Sequence, residues 1–106
     1  MEIKQYSVYR VNLDPVIGSE VNTTRPCVVI SPDEMNKYLR TVIISPLTHT
    51  LKTYPSRVSC SIDGDKGRIM LDQIRTIDKK RILTHIGKLK KAEYEKVKEV
   101  INEMLC

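Results

Sequence analysis

The feature that most limits this chain is its series of short apolar segments, each of strand length and each ended by a turn signal. Residues 7–13 alternate, with Tyr9, Val11 and Leu13 on one face and Ser7 continuing that row, until Asp14-Pro15 breaks the pattern. Residues 26–30 and 41–45 are compact apolar runs that suit strands buried on both faces. Residues 57–62 alternate again, with Val58, Cys60 and Ile62 inward, and Asp63-Gly64 then supplies a hairpin turn. Residues 68–74 read as the next strand, and 85–89 as a short last one.

Two segments read as helical. In SPDEMNKYL, Ser31 stands where an N-cap belongs, Pro32 at the first helical position, and Glu34 completes an S-x-x-E capping box. From 91 to 105, Tyr94, Val97, Val100, Ile101, Met104 and Leu105 recur at helical spacing and form one apolar stripe directed to the core. A set of short strands with a short connecting helix and a C-terminal helix predicts a mainly β fold, a small, twisted and partly closed sheet. The 106 residues suffice for one domain, 1–106, and not for two.

No apolar run approaches the ~18 residues of a membrane span, and MEIKQYSVYR lacks the apolar stretch of a secretory signal. A cytoplasmic protein with no membrane partner is expected. Cys27, Cys60 and Cys106 are an odd, widely spaced set, which fits apolar filler in a reducing compartment better than disulfides or zinc. With two histidines, His49 and His85, and no carboxylate–histidine cluster, neither a metal site nor a cofactor is expected.

The net charge is +5, but its distribution matters more than its total. Between Arg75 and Lys91, seven cations face Asp78 alone. Such a local excess attracts polyanions, nucleic acid first among them, unless it is simply a solvated face.

Three polar features adjoin buried strands. Arg25 is held directly before Pro26, whose ring pushes the preceding residue toward extended geometry. In Ser45-Pro46-Leu47-Thr48-His49-Thr50 an apolar strand ends in hydroxyls and an imidazole. In Asp72-Gln73-Ile74-Arg75 polar groups alternate along what reads as a central strand. Each also admits a plain structural role. Arg25 can pair with Glu20 or Asp72, Thr48 can start a turn, and Asp72 with Arg75 can be a cross-strand pair.

The strings LDPVIGSEVNTTRPCVVIS, VIISPLTHT and LDQIRTIDKKRI resemble the MazF/PemK-type toxins of bacterial toxin–antitoxin pairs, in order and over nearly the whole chain. The resemblance implies an SH3-like barrel of the CcdB/MazF kind with attached helices, assembled as a homodimer. It also implies a metal-independent endoribonuclease that cuts single-stranded messenger RNA at short sequences, leaving 2′,3′-cyclic phosphate and 5′-hydroxyl ends. The family's essential arginine falls on Arg25, its essential threonine on Thr48, and the acidic residue of its G-S-E motif on Glu20. His49 stands where many relatives carry Thr or Ser, which leaves open whether it moves protons or lines the groove. A cognate antitoxin with an acidic, disordered tail is the implied partner, lying over the same basic groove. The dimer interface is expected to use the strand holding Asp72 and Arg75 together with part of the terminal helix.

The chemistry suits these residue types. The 2′-hydroxyl attacks its neighbouring phosphorus, and charge developing on the phosphorane oxygens needs cationic and hydrogen-bonding partners. Arg25 offers a planar fork, Thr48 a hydroxyl, and Glu20, then His49, the base. Base selection is expected from the loops 14–24 and 47–56, with Ser19, Thr24, Tyr54, Gln73 and Arg75 touching RNA. Tyr54 is either a stacking platform or loop packing. Lys79, Lys80 and Arg81 either gather phosphates or form a solvated rim. Two other classes compete: a CcdB-type poison of DNA gyrase acting through its terminal helix, and a non-catalytic RNA-binding barrel.

Overall fold

The computed structural model describes residues 2–13, 24–50 and 54–106. Seven strands and two α-helices follow in the order β1 (Ser7–Asn12), β2 (Thr24–Val29), α1 (Asp33–Tyr38), β3 (Thr41–Thr48), β4 (Arg57–Ile62), β5 (Asp65–Met70), β6 (Arg75–Asp78), β7 (Ile82–Lys88) and α2 (Lys91–Leu105). The described strand pairs are all antiparallel, in the lateral order β4-β5-β3-β2-β1-β7, with β6 pairing β3. Thus β3 is the hub, with β2 along one edge and β6 then β5 along the other.

Closure follows from chain length. Strands β6 and β7 lie at opposite ends of the series β6-β3-β2-β1-β7, yet a single turn, Lys79–Arg81, joins them. The sheet must therefore curl until its two edges approach. Each of these five strands sends apolar side chains into one core, built from Tyr9, Val11, Cys27, Val29, Val42, Ile44, Ile77 and Ile82. On the opposite face, Val8 and Val28 pack with Val58, Cys60 and Ile62 of β4, Ile69 of β5, and Val97 and Val100 of α2. Strands β1 and β2 are therefore buried on both faces. That was expected for β2 but not for β1, where Val8 adds a second apolar face to the alternation of Tyr9 and Val11.

The β4–β5 hairpin forms as Asp63-Gly64 predicts. Ile62 pairs Asp65, and both loop residues take left-handed φ, 50° at Asp63 and 80° at Gly64, the geometry that matches strand twist. Gly87 of β7 lets this hairpin close in, since a Cβ there would stand 2.8 Å from Ile62 Cγ2. Helix α2 is tied down at its first turn: Glu93 accepts from Lys90 N through Oε1 and from Ser61 N through Oε2, each at 2.8 Å. Tyr94 stacks on Tyr6 with ring centroids 5.0 Å apart.

Five expectations need correction. Pro32, not Ser31, is the N-cap of α1, and no side chain caps that helix. Buried Ser31 is instead engaged in tertiary contacts, its hydroxyl donating to Asn36 Oδ1 and accepting from Ile43 N. The segment 68–74 is not one strand, because a 3-10 turn at Leu71–Gln73 divides β5 from β6. Strand β3 runs on to Thr48, and β7 starts at Ile82 rather than His85. Finally, the α2 stripe is covered only as far as Ile101, and Met104 and Leu105 are exposed.

Candidate active site

Strand register places the polar residues. Val11 faces Arg25 and Tyr9 faces Cys27 across β1–β2, and Cys27 faces Pro46 across β2–β3. The second ladder ends at Cys27–Pro46, two residues short of Arg25 on β2 and of Thr48 on β3. On the other edge of β3, Thr48 faces Arg68, and Ile44 faces Arg75. Residues opposite one another, or two apart on one strand, share a face of the sheet. Arg25, Thr48, Arg68 and Arg75 therefore belong to the same face as Cys27 and Ile44. Arg25 and Thr48 thus lie on neighbouring strands, each two residues beyond the last β2–β3 pair.

The buried Cys27 thiol reports the local charge. Burial pushes its pKa up to about 12, and the positive charges of Arg25, then Arg75, oppose that rise. Both guanidiniums thus bear on one thiol from separate strands. Arg25 and Arg75 are exposed, and among the described residues neither forms an ion pair. Asp72 is engaged elsewhere. Its Oδ1 accepts from Ser56 Oγ at 3.1 Å and lies 3.5 Å from Arg57 Nε, which removes the pairings Arg25–Asp72 and Arg75–Asp72.

Thr48 keeps a turn role as well, its Oγ1 accepting from Thr50 N at 3.2 Å. The hydroxyl proton is still available to an acceptor. His49 comes next in the chain and so belongs to the opposite face. Its Nε2 lies 3.1 Å from Asp65 Oδ2, and both side chains are exposed.

The remaining expected contacts divide. The Thr24 hydroxyl accepts from Arg10 Nη1 at 3.4 Å, beside Arg25 at the start of β2. Tyr54 is 43% exposed with Arg57 Cζ 4.6 Å from its ring centroid, so one face of the ring is covered. Gln73 is exposed in the 3-10 turn. Lys79 N donates to Arg40 O, beside the start of β3 and roughly 20 Å along that strand from Thr48. Lys80 follows, its N–H capped by Asp78. Arg81 reaches back to donate to Asn12 O at 3.3 Å, and Asn12 pairs Thr24. The backbone positions of Lys79 and Lys80 are thus far from Thr48, whereas Arg81 reaches the Thr24 end of β2. Ser19 and Glu20 lie outside the described residues. Sequence reasoning missed Arg68, whose outward position on β5 was legible but whose neighbour on β3 was not.

Residues 4–105 match the model of the family described as PemK-like, MazF-like toxin of type II toxin–antitoxin system. The chain belongs to this family. Endoribonuclease EndoA of Bacillus subtilis is 34% identical over 112 residues, spanning 100% of this chain and 97% of that protein. A MazF structure from Deinococcus radiodurans superposes with TM-score 0.82 at 22% identity, over 99% of this chain and 97% of the other. An endoribonuclease solved with its cognate antitoxin from a Mycobacterial species gives TM-score 0.83 at 22% identity, over 97% and 94%. These structural likenesses establish that the curled sheet and its two helices are the fold of PemK/MazF-like toxins. In this member, the family's R-P motif lies on β2, the neighbour of β3.

Proposed function

We propose that this toxin is a sequence-specific endoribonuclease acting on single-stranded RNA, messenger RNA in particular, as a cytoplasmic homodimer. The observation that carries the reading is that Arg25, Thr48 and Arg75, on three neighbouring strands, share one face of the sheet, and that among the described residues Arg25 has no ion pair. An exposed arginine with no ion pair among the described residues is open to a polyanionic ligand. The name of the Bacillus subtilis relative supports the same activity.

In this reading the 2′-oxygen attacks phosphorus, the P–O5′ bond breaks, and the departing O5′ takes up a proton. A 2′,3′-cyclic phosphate and a 5′-hydroxyl result. The nucleophile is internal to the RNA, so no metal-activated water is needed. Arg25 holds two phosphate oxygens through its planar fork and stabilises the charge that builds on them. Thr48 donates its hydroxyl to the same group. Glu20 is assigned as the base that takes the 2′-proton, ahead of His49, which is occupied by Asp65 on the other face. Ser19, Thr24, Tyr54, Gln73, Arg75 and Arg81 are assigned to hold flanking nucleotides, with Lys79 and Lys80 at most an outer electrostatic rim.

The silencing partner is an antitoxin whose acidic, disordered tail covers the same cations, because one positive surface accepts either polyanion. The test is incubation in EDTA with a transcribed single-stranded RNA and with the same RNA carrying 2′-deoxy residues. Cutting of the first alone, with cyclic phosphate ends, is expected. Binding without cutting would instead indicate an RNA-binding barrel, and gyrase arrest without either a protein-directed poison.

A further inference from the structure

Arg68 is a cation for which the described fold provides no anion. Its Nη1 donates to Ser59 Oγ at 2.7 Å, while its Nε is shielded from solvent and has no hydrogen-bond partner. Among the described residues, no carboxylate lies within ion-pair distance of it. A neutral hydroxyl offsets only part of what a half-buried guanidinium loses in leaving water, so the position requires a reason.

The ladders supply it. Arg68 faces Thr48 across β5–β3 and Ser59 across β5–β4. Ser59, Arg68 and Thr48 therefore form a row across three strands, and Arg25 lies on β2, the strand at the other edge of β3. Neighbouring strands lie ~4.8 Å apart, so Arg68 is rooted one strand from Thr48, while Arg25 is rooted on the strand beyond the other edge of β3. The backbone of an RNA strand running along this row would meet one arginine, the hydroxyl, and then the second arginine.

We propose that Arg68, steadied by Ser59, forms a phosphate subsite that grips the RNA backbone at a linkage flanking the scissile one. The proposal rests on the endoribonuclease reading above. The bond to Ser59 fixes the plane of the guanidinium, leaving its other N–H groups for phosphate oxygens. Such a contact positions the strand and carries no base preference of its own.

The experiment uses a synthetic single-stranded RNA spanning a cut site mapped in a mixed-sequence transcript. Steady-state kinetics are compared for the wild-type protein, Arg68→Gln and Arg68→Lys over a range of NaCl concentrations. Arg68→Gln should raise KM about tenfold, the factor that one charge-assisted hydrogen bond is worth, and change kcat far less. The slope of log(kcat/KM) against log salt should become shallower by about 0.7, the value for one phosphate contact on a single strand. Arg68→Lys should restore the slope and only part of the KM. One neutral methylphosphonate linkage beside the cut should weaken the wild-type protein but not Arg68→Gln.

An Arg68→Gln protein with unchanged KM and slope, or with a loss confined to kcat, overturns the subsite and leaves the endoribonuclease reading standing. A wild-type protein that cuts no RNA overturns both. If Arg68→Gln melts early, Ser59→Ala serves instead. It retains the charge, so a KM increase with an unchanged salt slope supports the subsite, and an unchanged KM overturns it.

Discussion

On the hairpin side of the molecule, two carboxylates are matched to partners. Asp72 takes Ser56 and Arg57, and Glu93 takes the backbone N–H groups of Lys90 and Ser61. On the face shared by β2, β3, β5 and β6, Arg25, Arg68 and Arg75 have no carboxylate partner among the described residues. The two regions share strands and chemistry, so the difference is not one of available residue types. It teaches that the first region uses charge to hold α2 and the hairpin in place, while the second leaves its arginines without a carboxylate among the described residues.

The sharpest way to break that comparison is to truncate the unpaired side. Arg25→Ala and Thr48→Ala should each lower kcat/KM for RNA by about a thousandfold, the scale of losing one donor to a charge-developing oxygen. The melting temperature should move little, since the Arg25 guanidinium has no described partner to lose. Full activity in both variants would dissolve the site. A large drop in stability would mean that the arginine belongs to the scaffold after all.

The scaffold itself should answer in the opposite way. Leu71 is 1% exposed, in the core that joins the hairpin to α2. Leu71→Ala should cost about 3 kcal/mol of stability, read from the urea midpoint. Turnover per folded molecule should stay within about twofold of wild type, since one core side chain is removed without touching the arginine row. A selective loss of kcat would show that the two regions are mechanically coupled.

The sequence was most readable where local patterns decide structure. The Asp63-Gly64 turn and the Val58, Cys60 and Ile62 alternation stand as expected, because both are matters of neighbouring residues. The break at Leu71–Gln73 was not readable. The run RIMLDQIRTI keeps the composition of a strand throughout, and the interruption arises because β5 must pair with β4 while β6 pairs with the start of β3. Ser31 was misread for a similar reason, since its true partners, Asn36 and Ile43, are supplied by tertiary folding. At the site, the family motif brought out Arg25 and Thr48, but only the register across β3–β5 reveals Arg68.

Buried thiols give a subtler measure of the two regions. Burial raises Cys27, despite Arg25 and Arg75, and raises Cys60, with Glu93 and Asp65 adding to the effect; each reaches about 12 from an ordinary 9.0. The folded chain therefore holds its thiol protons where the unfolded chain releases them. Stability from this source is complete below pH 9 and is lost as the pH climbs toward 12. Between pH 9 and 10 the loss should be about 1 kcal/mol for each thiol. Denaturant midpoints of a Cys27→Ala, Cys60→Ala double variant should fall less steeply over that interval than those of the wild-type protein. An equal slope would mean that the thiols do not drive the alkaline loss.

The smallest expected effect concerns the residue that sits between the two regimes. His49 follows Thr48 directly, yet it belongs to the other face and is held 3.1 Å from Asp65. Both members of that pair are largely exposed, so the contact stabilises the fold very little. If the unpaired face alone performs the chemistry, His49→Asn should keep kcat/KM within about threefold of wild type, because no reacting proton depends on it. The pH–rate profile should keep its acidic limb in that variant and lose it in Glu20→Gln. The reverse result would transfer the base to His49 and require its imidazole to leave Asp65 and cross the strand end once RNA is bound.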